Sequence, residues 1–264
     1  MKQKIGIIGL GMVGGAMQRW FEKQNYEIFL YDKFKNIGSI YEVNNADFIY
    51  ICVPTPTDTN GCDTSIIEEV LEQIAPDKIV IIKCTVPPGT TDRLQKEFQG
   101  LQLLHNPEFL TESTADQDMA YPDRQIVGYT DRSYSVAKDI ILQLPLAPFE
   151  RIVPAKVSEM VKYFNNCWFG VKVVFANQMY DICRADNIDY ELVRELAAAD
   201  KRIGPSHLDV WHKFKDKEYR GYAGKCLPKD CRAFIDYARD LNCSFDLLEK
   251  AQEINEDYKD GNKK

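Results

Sequence analysis

The sequence predicts an α/β protein in which a doubly wound parallel sheet is followed by a long connecting helix and a small all-helical domain. Short β-rich runs alternate with helical patterns over the first half of the 264 residues, which is typical of a parallel sheet covered by helices on both faces. A glycine-rich turn follows the first run. From about Ala155 to Ala185, apolar residues recur at helical spacing with no break except Gly170, which predicts one long helix.

The elements follow in a regular order along the chain. The expected strands are KIGIIGL, EIFLYD, ADFIYICVP and KIVIIKCT, extended by QLLHNPE and RQIVGYT, and helices are expected at GGAMQRWFEKQ, near 65–74, near 91–98 and at SYSVAKDIILQL. Further helices are predicted over Tyr190–Ala199, Lys229–Asp240 and Phe245–Lys259. The stretch from Gly204 to Leu227 is expected to be irregular, and loops of that length are usually functional. We expect domains at residues 1–152 and 153–264, because the long helix starts at their boundary.

Composition excludes several classes of function. The formal net charge is -7, so the surface repels phosphate backbones and no nucleic-acid partner is expected. No segment has the roughly 18 uninterrupted apolar residues of a membrane span, and the glycines of the apolar N-terminus suit a strand and turn rather than a signal peptide. The eight cysteines form no CxxC pair, which indicates reduced thiols and a cytoplasmic protein. No metal site is expected.

A Rossmann-type, dinucleotide-binding turn is predicted at the end of the first strand. Its glycines permit a tight turn and let helix N–H groups approach a pyrophosphate. Asp32 ends the second strand and can accept hydrogen bonds from ribose hydroxyls while repelling a 2′-phosphate, which favours NAD over NADP. Lys33 leaves that preference open, because a lysine there either meets a 2′-phosphate or is an ordinary surface charge. The competing interpretation is that the glycines only pack a helix against the sheet. The cofactor residues predicted here are Gly9, Gly11, Met12, Val13, Gly14, Asp32 and Lys33.

Two later strands end in segments rich in Pro and Thr. In an open α/β sheet the ligand lies beyond the carboxyl ends of the strands, so both segments are expected to border the cofactor or the substrate. The alternative is that Pro and Thr simply terminate strands. The candidate residues are Val53, Thr55, Pro56 and Thr57 after the third strand and Thr85 after the fourth.

Two pairs of polar residues have the four-residue spacing that places side chains on one face of a helical turn. Glu108 and Glu112 occur in NPEFLTES, and Lys162 and Asn166 occur on the long helix. An ammonium and an amide aimed at one point can stabilise an oxyanion. Each pair alone is equally consistent with solvated surface residues.

The segment GYAGKCLPKD places Cys226 directly before a predicted helix, with Pro228 suited to its first turn. A helix N-terminus and the lysines Lys225 and Lys229 are expected to lower the pKa of the thiol and favour the nucleophilic thiolate. Asp230 opposes that effect, so it is better assigned to a water or an orienting contact. The competing interpretation is an ordinary loop cysteine.

Taken in order, GLGMVG, CVPTPT, KCTVPPGT, NPEFLTES, PDRQIVG, DKRIG and GYAGKCLPKD resemble the motifs of the UDP-glucose/GDP-mannose dehydrogenase family over nearly the whole chain. The resemblance implies an NAD-dependent, four-electron oxidation of UDP-glucose to UDP-glucuronate through a cysteine thiohemiacetal and thioester. It also implies that residues 1–152 bind NAD and that residues 153–264 form a helical dimerisation domain carrying the cysteine. Ala223 replaces a usual glycine, and the chain stops before the nucleotide-covering third domain of familiar members.

The resemblance assigns roles to individual residues. Cys226 is the nucleophile, and Lys162 with Asn166 holds the oxyanion. Thr85, Glu108 and Asp230 position water and handle protons. Glu112 and Lys229 lie near the cofactor. The remaining substrate residues are Phe109, Leu110, Gly221, Tyr222, Gly224 and Arg202, the last reaching the substrate of a neighbouring subunit.

Several alternatives stay open at this stage. The substrate could instead be GDP-mannose or a UDP-HexNAc, and the chain could be a non-catalytic NAD-binding subunit. A 3-hydroxyacid dehydrogenase shares the sheet-plus-helix plan but needs no cysteine, so the presence of Cys226, Lys162 and Asn166 argues against it. A homodimer is expected through apolar residues of the long helix, namely Met160, Phe164, Trp168, Val171 and Phe175.

Overall fold

The computed structural model describes residues 2–58, 61–214, 217–224 and 226–259, without the side chains of Phe214 and Lys217. Its contacts divide the chain into two compact units, Met1–Lys162 and Tyr163–Lys264. The long helix begins in the first unit and continues into the second. The domain boundary expected at residue 152, from the start of the long helix, stays a prediction.

The first unit is built on a sheet of short, Ile- and Val-rich strands alternating with helices. Its strands are β1 (Ile5–Ile8), β2 (Ile28–Asp32), β3 (Ile37–Gly38), β4 (Phe48–Ile51), β5 (Thr57–Asp58), β6 (Gly61–Cys62), β7 (Ile79–Ile82), β8 (Gln102–His105), β9 (Gln125–Tyr129) and β10 (Glu150–Pro154). Its helices are α1 (Met12–Lys23), α2 (Ile40–Val43), α3 (Ser65–Leu71), α4 (Thr90–Glu97), α5 (Ala115–Ala120) and α6 (Ala137–Gln143), with 3-10 turns at Glu112–Thr114 and Tyr134–Val136.

Eight of these strands form one sheet in the order β10-β9-β8-β7-β4-β1-β2-β3, and β5 pairs with β6 in a separate hairpin. The pairs from β2 through β1, β4 and β7 to β8 are parallel, as is the β9–β10 pair. This confirms the predicted fold class. The expectation that QLLHNPE and RQIVGYT extend the parallel order is wrong at one step, since β9 is antiparallel to β8. The chain between these two strands contains a 3-10 turn and the six-residue helix α5.

Alternation along the strands buries both faces of the sheet. Tyr50 lies in a cluster with Ile5 and Ile7, whereas its neighbours Ile49 and Ile51 lie in the cluster on the other face. Parallel strands with two buried faces read as continuous apolar runs, which is the pattern of the sequence. The carboxyl ends of β1, β4, β7 and β8 therefore share one edge, where the candidate residues follow each strand.

The second unit is mainly helical. It contains most of α7 (Ala155–Ala185), followed by α8 (Tyr190–Ala198), β11 (Trp211–Phe214), β12 (Lys217–Arg220), α9 (Leu227–Asp240) and α10 (Asp246–Lys259). One cluster packs α7 against α9 and α10, and another packs α7 against α8. The predicted long helix is confirmed. The expectation of an irregular stretch from Gly204 to Leu227 is wrong in part, because residues 211–220 include an antiparallel hairpin. Its strands, WHKF and KEYR, lack the apolar alternation that would have predicted it.

Candidate active site

The glycines in the turn between β1 and α1 have two different roles: two are needed for close packing, and one borders open space. A Cβ added at Gly14 would lie 1.9 Å from the Gly9 oxygen, and Gly9 has φ 86° with a Cβ position 2.7 Å from the Cys52 oxygen, so both are required for packing. Gly11, the residue before α1, would bring an added Cβ within 4 Å of no described atom. No side chain caps α1. The N–H groups of Met12 and Val13, in its first turn, have no intrahelical acceptor and lie next to the open space at Gly11. This arrangement fits a dinucleotide pyrophosphate.

Asp32 links that turn to the loop after β2. Its carboxylate accepts hydrogen bonds from the N–H groups of Leu10 (2.8 Å), Phe34 (3.0 Å) and Lys35 (2.9 Å). Burial raises the pKa of Asp32, but these backbone donors outweigh burial and hold the pKa below its usual value. Lys33 is exposed. Lys35, which the sequence analysis did not select, donates from Nζ to the Leu10 oxygen at 2.6 Å.

The segments after β4 and β7 are joined by a hydrogen bond. Thr55 Oγ1 donates to the main-chain oxygen of Thr85 at 2.8 Å, and Thr55 is buried. Val53, Thr57 and Thr85 are half-buried, and Pro56 is exposed. The two Pro- and Thr-rich segments therefore do more than terminate strands, because they contact each other beyond the sheet edge.

Glu108 and Lys162 form a largely buried ion pair. Lys162 Nζ lies 2.8 Å from Glu108 Oε1 and donates to the main-chain oxygen of Glu108 at 2.8 Å. The second carboxylate oxygen of Glu108 accepts the N–H of Leu110 at 2.7 Å. The side chains of Lys162 and Glu108 are only 8% and 13% exposed, so the pair is weakly screened by solvent. These contacts hold the Glu108 carboxylate in a defined position beside α7.

Phe109 lies next to this ion pair. The Lys162 ammonium is 5.9 Å from the centroid of its ring, and the Arg124 guanidinium is 3.9 Å from it. That Glu108 and Glu112 address one site stays a prediction. Residues 106–111 are not helical, and the exposed Glu112 begins a separate 3-10 turn, so helical spacing does not apply to this pair.

A buried polar layer underlies the loops after β7 and β8. Lys83 Nζ donates to Asn106 Oδ1 at 2.7 Å, and Asn106 Nδ2 donates to the Ile126 oxygen at 2.7 Å. His105 Nδ1 lies 2.7 Å from Ser158 Oγ on α7. Burial lowers the pKa of Lys83 to about 8 and that of His105 to about 3. Sequence analysis missed this layer, although a lysine that directly follows an apolar strand was a usable signal.

In the second unit, Asn166 and Asp230 form a buried pair. Asn166 Nδ2 donates to Asp230 Oδ2 at 2.6 Å, and Lys229 Nζ donates to Asp230 Oδ1 at 2.5 Å. Asn166 and Asp230 are 6% and 1% exposed. The orienting contact expected of Asp230 is thus made to Asn166. Along α7, Asn166 follows Lys162 by one turn.

Cys226 is exposed and occupies the N-cap position of α9, whose first turn contains Pro228. The N–H of Asp230 donates to the Cys226 main-chain oxygen at 3.0 Å, which closes the first turn. Negative charge is favoured at a helix N-terminus. Lys225, the other cation expected beside the thiol, lies outside the described residues.

The loop that leads to Cys226 is clamped by Asn255 of α10. Its side chain accepts the N–H of Tyr222 at 2.7 Å and donates to the Tyr222 oxygen at 2.9 Å. Gly221 has φ 75°, and an added Cβ would lie 2.5 Å from Asn255 Oδ1, so a glycine is required there. Gly224 is exposed with φ 83°. The loop is therefore held at its start, and Gly224, two residues before the cysteine, has a left-handed backbone conformation.

Arg202 lies on an exposed loop. Its side chain is 89% exposed and pairs with Asp200 of the same loop at 2.5 Å. Lys172 of α7 donates to the Ile203 oxygen at 3.0 Å and anchors the loop. On α7 itself, Phe164, Trp168 and Phe175 are 69%, 53% and 60% exposed. Large apolar side chains that are this exposed commonly mark an interface.

The described ranges contain no group of three or more His, Cys, Asp and Glu side chains that could hold a metal ion. In the same part of the chain, no helix has the length and apolar character needed to cross a membrane.

Comparison with known proteins adds independent findings. Residues 33–143 match the NAD binding domain of the UDP-glucose/GDP-mannose dehydrogenase family, and residues 156–257 match the central domain of that family. A UDP-glucose 6-dehydrogenase of Campylobacter jejuni is 32% identical over 96% of this chain and 72% of its own length. One from Rickettsia conorii is 32% identical over 76% of this chain and 46% of its own length. Across eight of the curated relatives, the chain spans between 45% and 72% of their length.

The fold is also found in solved structures. A UDP-glucose dehydrogenase from Pyrobaculum islandicum superimposes with a TM-score of 0.84, at 24% identity, over 97% of this chain and 68% of that one. At this level of identity the likeness concerns the fold alone.

Proposed function

The chain belongs to the UDP-glucose/GDP-mannose dehydrogenase family, and on that premise we propose that it is an NAD-dependent nucleotide-sugar 6-dehydrogenase that oxidises UDP-glucose to UDP-glucuronate. The observation that carries the proposal is the position of Cys226 at the N-terminus of α9, four residues before an Asp230 that orients Asn166. A hydroxyacid dehydrogenase needs no such cysteine. Several relatives carry the name UDP-glucose 6-dehydrogenase, which supports the choice of sugar nucleotide.

The first unit would hold NAD at the turn of Gly9, Gly11 and Gly14, with the pyrophosphate in the open space at Gly11. Bound NAD supplies the acceptor for a hydride in each of two successive oxidations. Oδ1 of Asp32 already accepts the N–H groups of Phe34 and Lys35, whereas Oδ2 accepts only that of Leu10 and retains a further lone pair for a ribose hydroxyl. The same charge disfavours a 2′-phosphate, so NAD is expected to bind better than NADP.

The reaction divides into four balanced steps. Loss of a hydride and a proton converts the C6 alcohol of the sugar into an aldehyde. The Cys226 thiolate then forms a C–S bond to the aldehyde carbon, and the former carbonyl oxygen takes a proton to give a thiohemiacetal. Loss of a second hydride and proton leaves a thioester. Water finally adds to the thioester, the C–S bond breaks, and a carboxylate, the thiol and one proton are released. The net change consumes two NAD and one water for each sugar.

Lys162 and Asn166 each have a hydrogen-bond donor that is not used by the contacts described above. Two N–H groups of Lys162 are used on Glu108, and the third would donate to the oxyanion of the tetrahedral species. One N–H of the Asn166 amide is held by Asp230, and the other would donate to the same oxyanion. We assign to Glu108, Thr85 and Asp230 the positioning of water and the transfer of protons. Glu112, Lys229, Phe109, Leu110, Gly221, Tyr222 and Gly224 are proposed as binding residues.

A panel of sugar nucleotides tests the substrate. We expect NAD reduction with UDP-glucose to exceed that with GDP-mannose, UDP-N-acetylglucosamine and UDP-N-acetylmannosamine by at least about tenfold in kcat/KM, which corresponds to about 1.4 kcal/mol of discrimination. A preference for GDP-mannose or a UDP-HexNAc would contradict UDP-glucose as the substrate but would still be consistent with a nucleotide-sugar 6-dehydrogenase. NAD binding without reduction of NAD by any of these compounds would make the chain a non-catalytic subunit.

We also propose that two copies of the chain associate through α7. Phe164, Trp168, Val171, Phe175 and Ile182 follow the 4-3-4-7 spacing of a heptad seam, which fits a second helix of the same kind. Phe164, Trp168, Phe175 and Ile182 are more than half exposed. A two-fold dimer uses this stripe twice. Each copy would then supply Arg202, which is exposed and paired only locally with Asp200, to the substrate of its partner.

Subunit mixing tests this sharing. Arg202→Ala should raise KM more than it lowers kcat, because it removes a binding contact. Mixing Arg202→Ala with Cys226→Ala chains should restore part of the activity, since subunit exchange creates sites with both residues intact. Absence of recovery despite demonstrated exchange would assign Arg202 to the site of its own subunit, and an active monomer would contradict the dimer.

A further inference from the structure

Glu159 is a fully buried carboxylate on α7 that no part of the proposed reaction uses. Its Oε2 accepts the N–H of Gly89 at 2.5 Å, and its Oε1 accepts the N–H of Thr91 at 2.8 Å and the hydroxyl of Thr91 at 2.6 Å. These donors lie at the N-terminus of α4. Gly89, the N-cap residue of α4, has no side chain with which to cap the helix. The cap of α4 is therefore supplied by a residue 68 positions away in sequence from Thr91.

The contact between Glu159 and the N-terminus of α4 depends on the charge of the carboxylate. Burial raises the pKa of Glu159, and the hydrogen bonds from Thr91 and Gly89 partly offset that effect. The N-terminus of α4 favours the charged form, because unpaired N–H groups and the helix dipole meet there. A cap from a local Ser or Asp would satisfy the same donors without burying a distant carboxylate. Capping of α4 therefore does not by itself explain why a residue as distant in sequence as Glu159 makes these contacts.

The second turn of α7 holds both loops that carry proposed catalytic residues of the first unit. Glu159 binds the end of the loop after β7, which contains Thr85, and Lys162 binds the loop after β8, which contains Glu108. The two α7 residues are three apart, so they project to neighbouring positions on the helix. A shift of Gly89 relative to Glu159 would move Thr85 relative to the Glu108–Lys162 pair.

From this arrangement we propose that Glu159 is a positioning residue for the dehydrogenase reaction, which sets the Thr85 loop against the Glu108–Lys162 pair through its contacts with Gly89 and Thr91. The inference rests on the proposed function, because it assigns Thr85 and Lys162 to catalysis. It differs from a purely structural cap in one respect. A structural cap changes stability alone, whereas a positioning residue changes kcat through Thr85.

Glu159→Gln tests the proposal, because it keeps the size of the side chain but turns an amide NH2 toward a backbone donor. Misplacing a catalytic loop by about 1 Å costs up to about a hundredfold in rate, so we expect kcat to fall at least tenfold while the Kd for NAD stays within about twofold. Glu68→Gln is the matched control, since Glu68 also binds α4, through Arg93 at 2.7 Å, on its exposed side. That control should keep kcat within about twofold.

Double variants separate positioning from folding. If Glu159 acts through Thr85, the losses in kcat from Glu159→Gln and Thr85→Ala should be clearly less than multiplicative when combined. Thr91→Val removes only the hydroxyl contact and should lower kcat by a smaller factor, which Thr91→Ser should restore. Multiplicative losses, or an unchanged kcat in a folded Glu159→Gln enzyme, would overturn the proposal.

A readout that does not depend on activity keeps this test separate from the proposed function. Amide hydrogen exchange at residues 89–91 should accelerate in Glu159→Gln and stay unchanged in Glu68→Gln. If the wild-type chain oxidises no sugar nucleotide, the proposed function fails, and the exchange result alone decides whether Glu159 holds the loop. Equal protection in Glu159→Gln and the wild type would refute the inference in either case.

Discussion

Replacing Lys83 by Met should make the free energy of unfolding depend less on pH. Lys83 is 7% exposed, and its ammonium hydrogen-bonds to Asn106. Burial lowers its pKa from 10.5 to about 8, a difference of about 2.5 units. At about 1.4 kcal/mol for each unit, keeping the buried ammonium charged costs the folded state roughly 3 kcal/mol at pH 7.

The direction of the pH effect follows from proton binding. Below pH 8 the lysine is protonated in both states, so the wild type bears the whole cost. Between about pH 8 and 10.5 the folded state releases the proton before the unfolded state does, so the unfolded state binds more protons and stability rises with pH. The wild type should therefore gain roughly 3 kcal/mol relative to Lys83→Met across this window.

Urea unfolding at pH 7, 8.5 and 10, followed by circular dichroism, measures this difference. Lys83→Met also leaves Asn106 Oδ1 without its donor, but that loss is the same at every pH and cancels in the comparison. The exposed Lys96, on α4, provides a Lys96→Met control that should parallel the wild type. A constant difference between the wild type and Lys83→Met from pH 7 to 10 would refute the account of a buried, partly neutralised lysine.

Four further variants test the residues assigned to catalysis and to cofactor binding. Cys226→Ser should abolish acid formation while leaving the Kd for NAD, measured by calorimetry, within about twofold, because the cysteine and the glycine turn lie in different units. A serine enzyme that still forms acid would remove Cys226 from the mechanism. Asp32→Ala should weaken NAD binding more than NADP binding and lower Tm, since three backbone donors lose their acceptor; a wild type that prefers NADP would contradict this. Gly11→Ala should fold normally but bind NAD at least tenfold more weakly, whereas Gly14→Ala should fail to fold because its Cβ meets Gly9. Unchanged NAD affinity in Gly11→Ala would mean that the glycines serve packing alone.

Features encoded by local pattern were predictable from the sequence. The period of apolar residues predicted α7 at its observed bounds, and Pro228 after Cys226 predicted the start of α9 next to the cysteine. Glycine spacing followed by Asp32 at the end of β2 predicted the turn. In each case the deciding interactions lie within a few residues along the chain.

Features that depend on distant partners were not predictable. Nothing near Glu159 in the sequence indicates that it caps α4, and nothing near Lys83 indicates Asn106 as its acceptor. The antiparallel step between β8 and β9 depends on where the intervening chain runs, which periodicity does not report. The spacing of Glu108 and Glu112 carried little information, because four-residue spacing places side chains on one face in a helix and residues 106–111 are not helical.

The number of NADH molecules formed for each sugar oxidised tests the central claim most directly. Limiting UDP-glucose is incubated with excess NAD and the wild-type chain, NADH is counted by absorbance, and the sugar product is identified by mass spectrometry. We expect two NADH and one UDP-glucuronate for each UDP-glucose, because the proposed oxidation passes through a thioester at Cys226. One NADH with an aldehyde product would show a simple alcohol dehydrogenase and contradict the role of the cysteine.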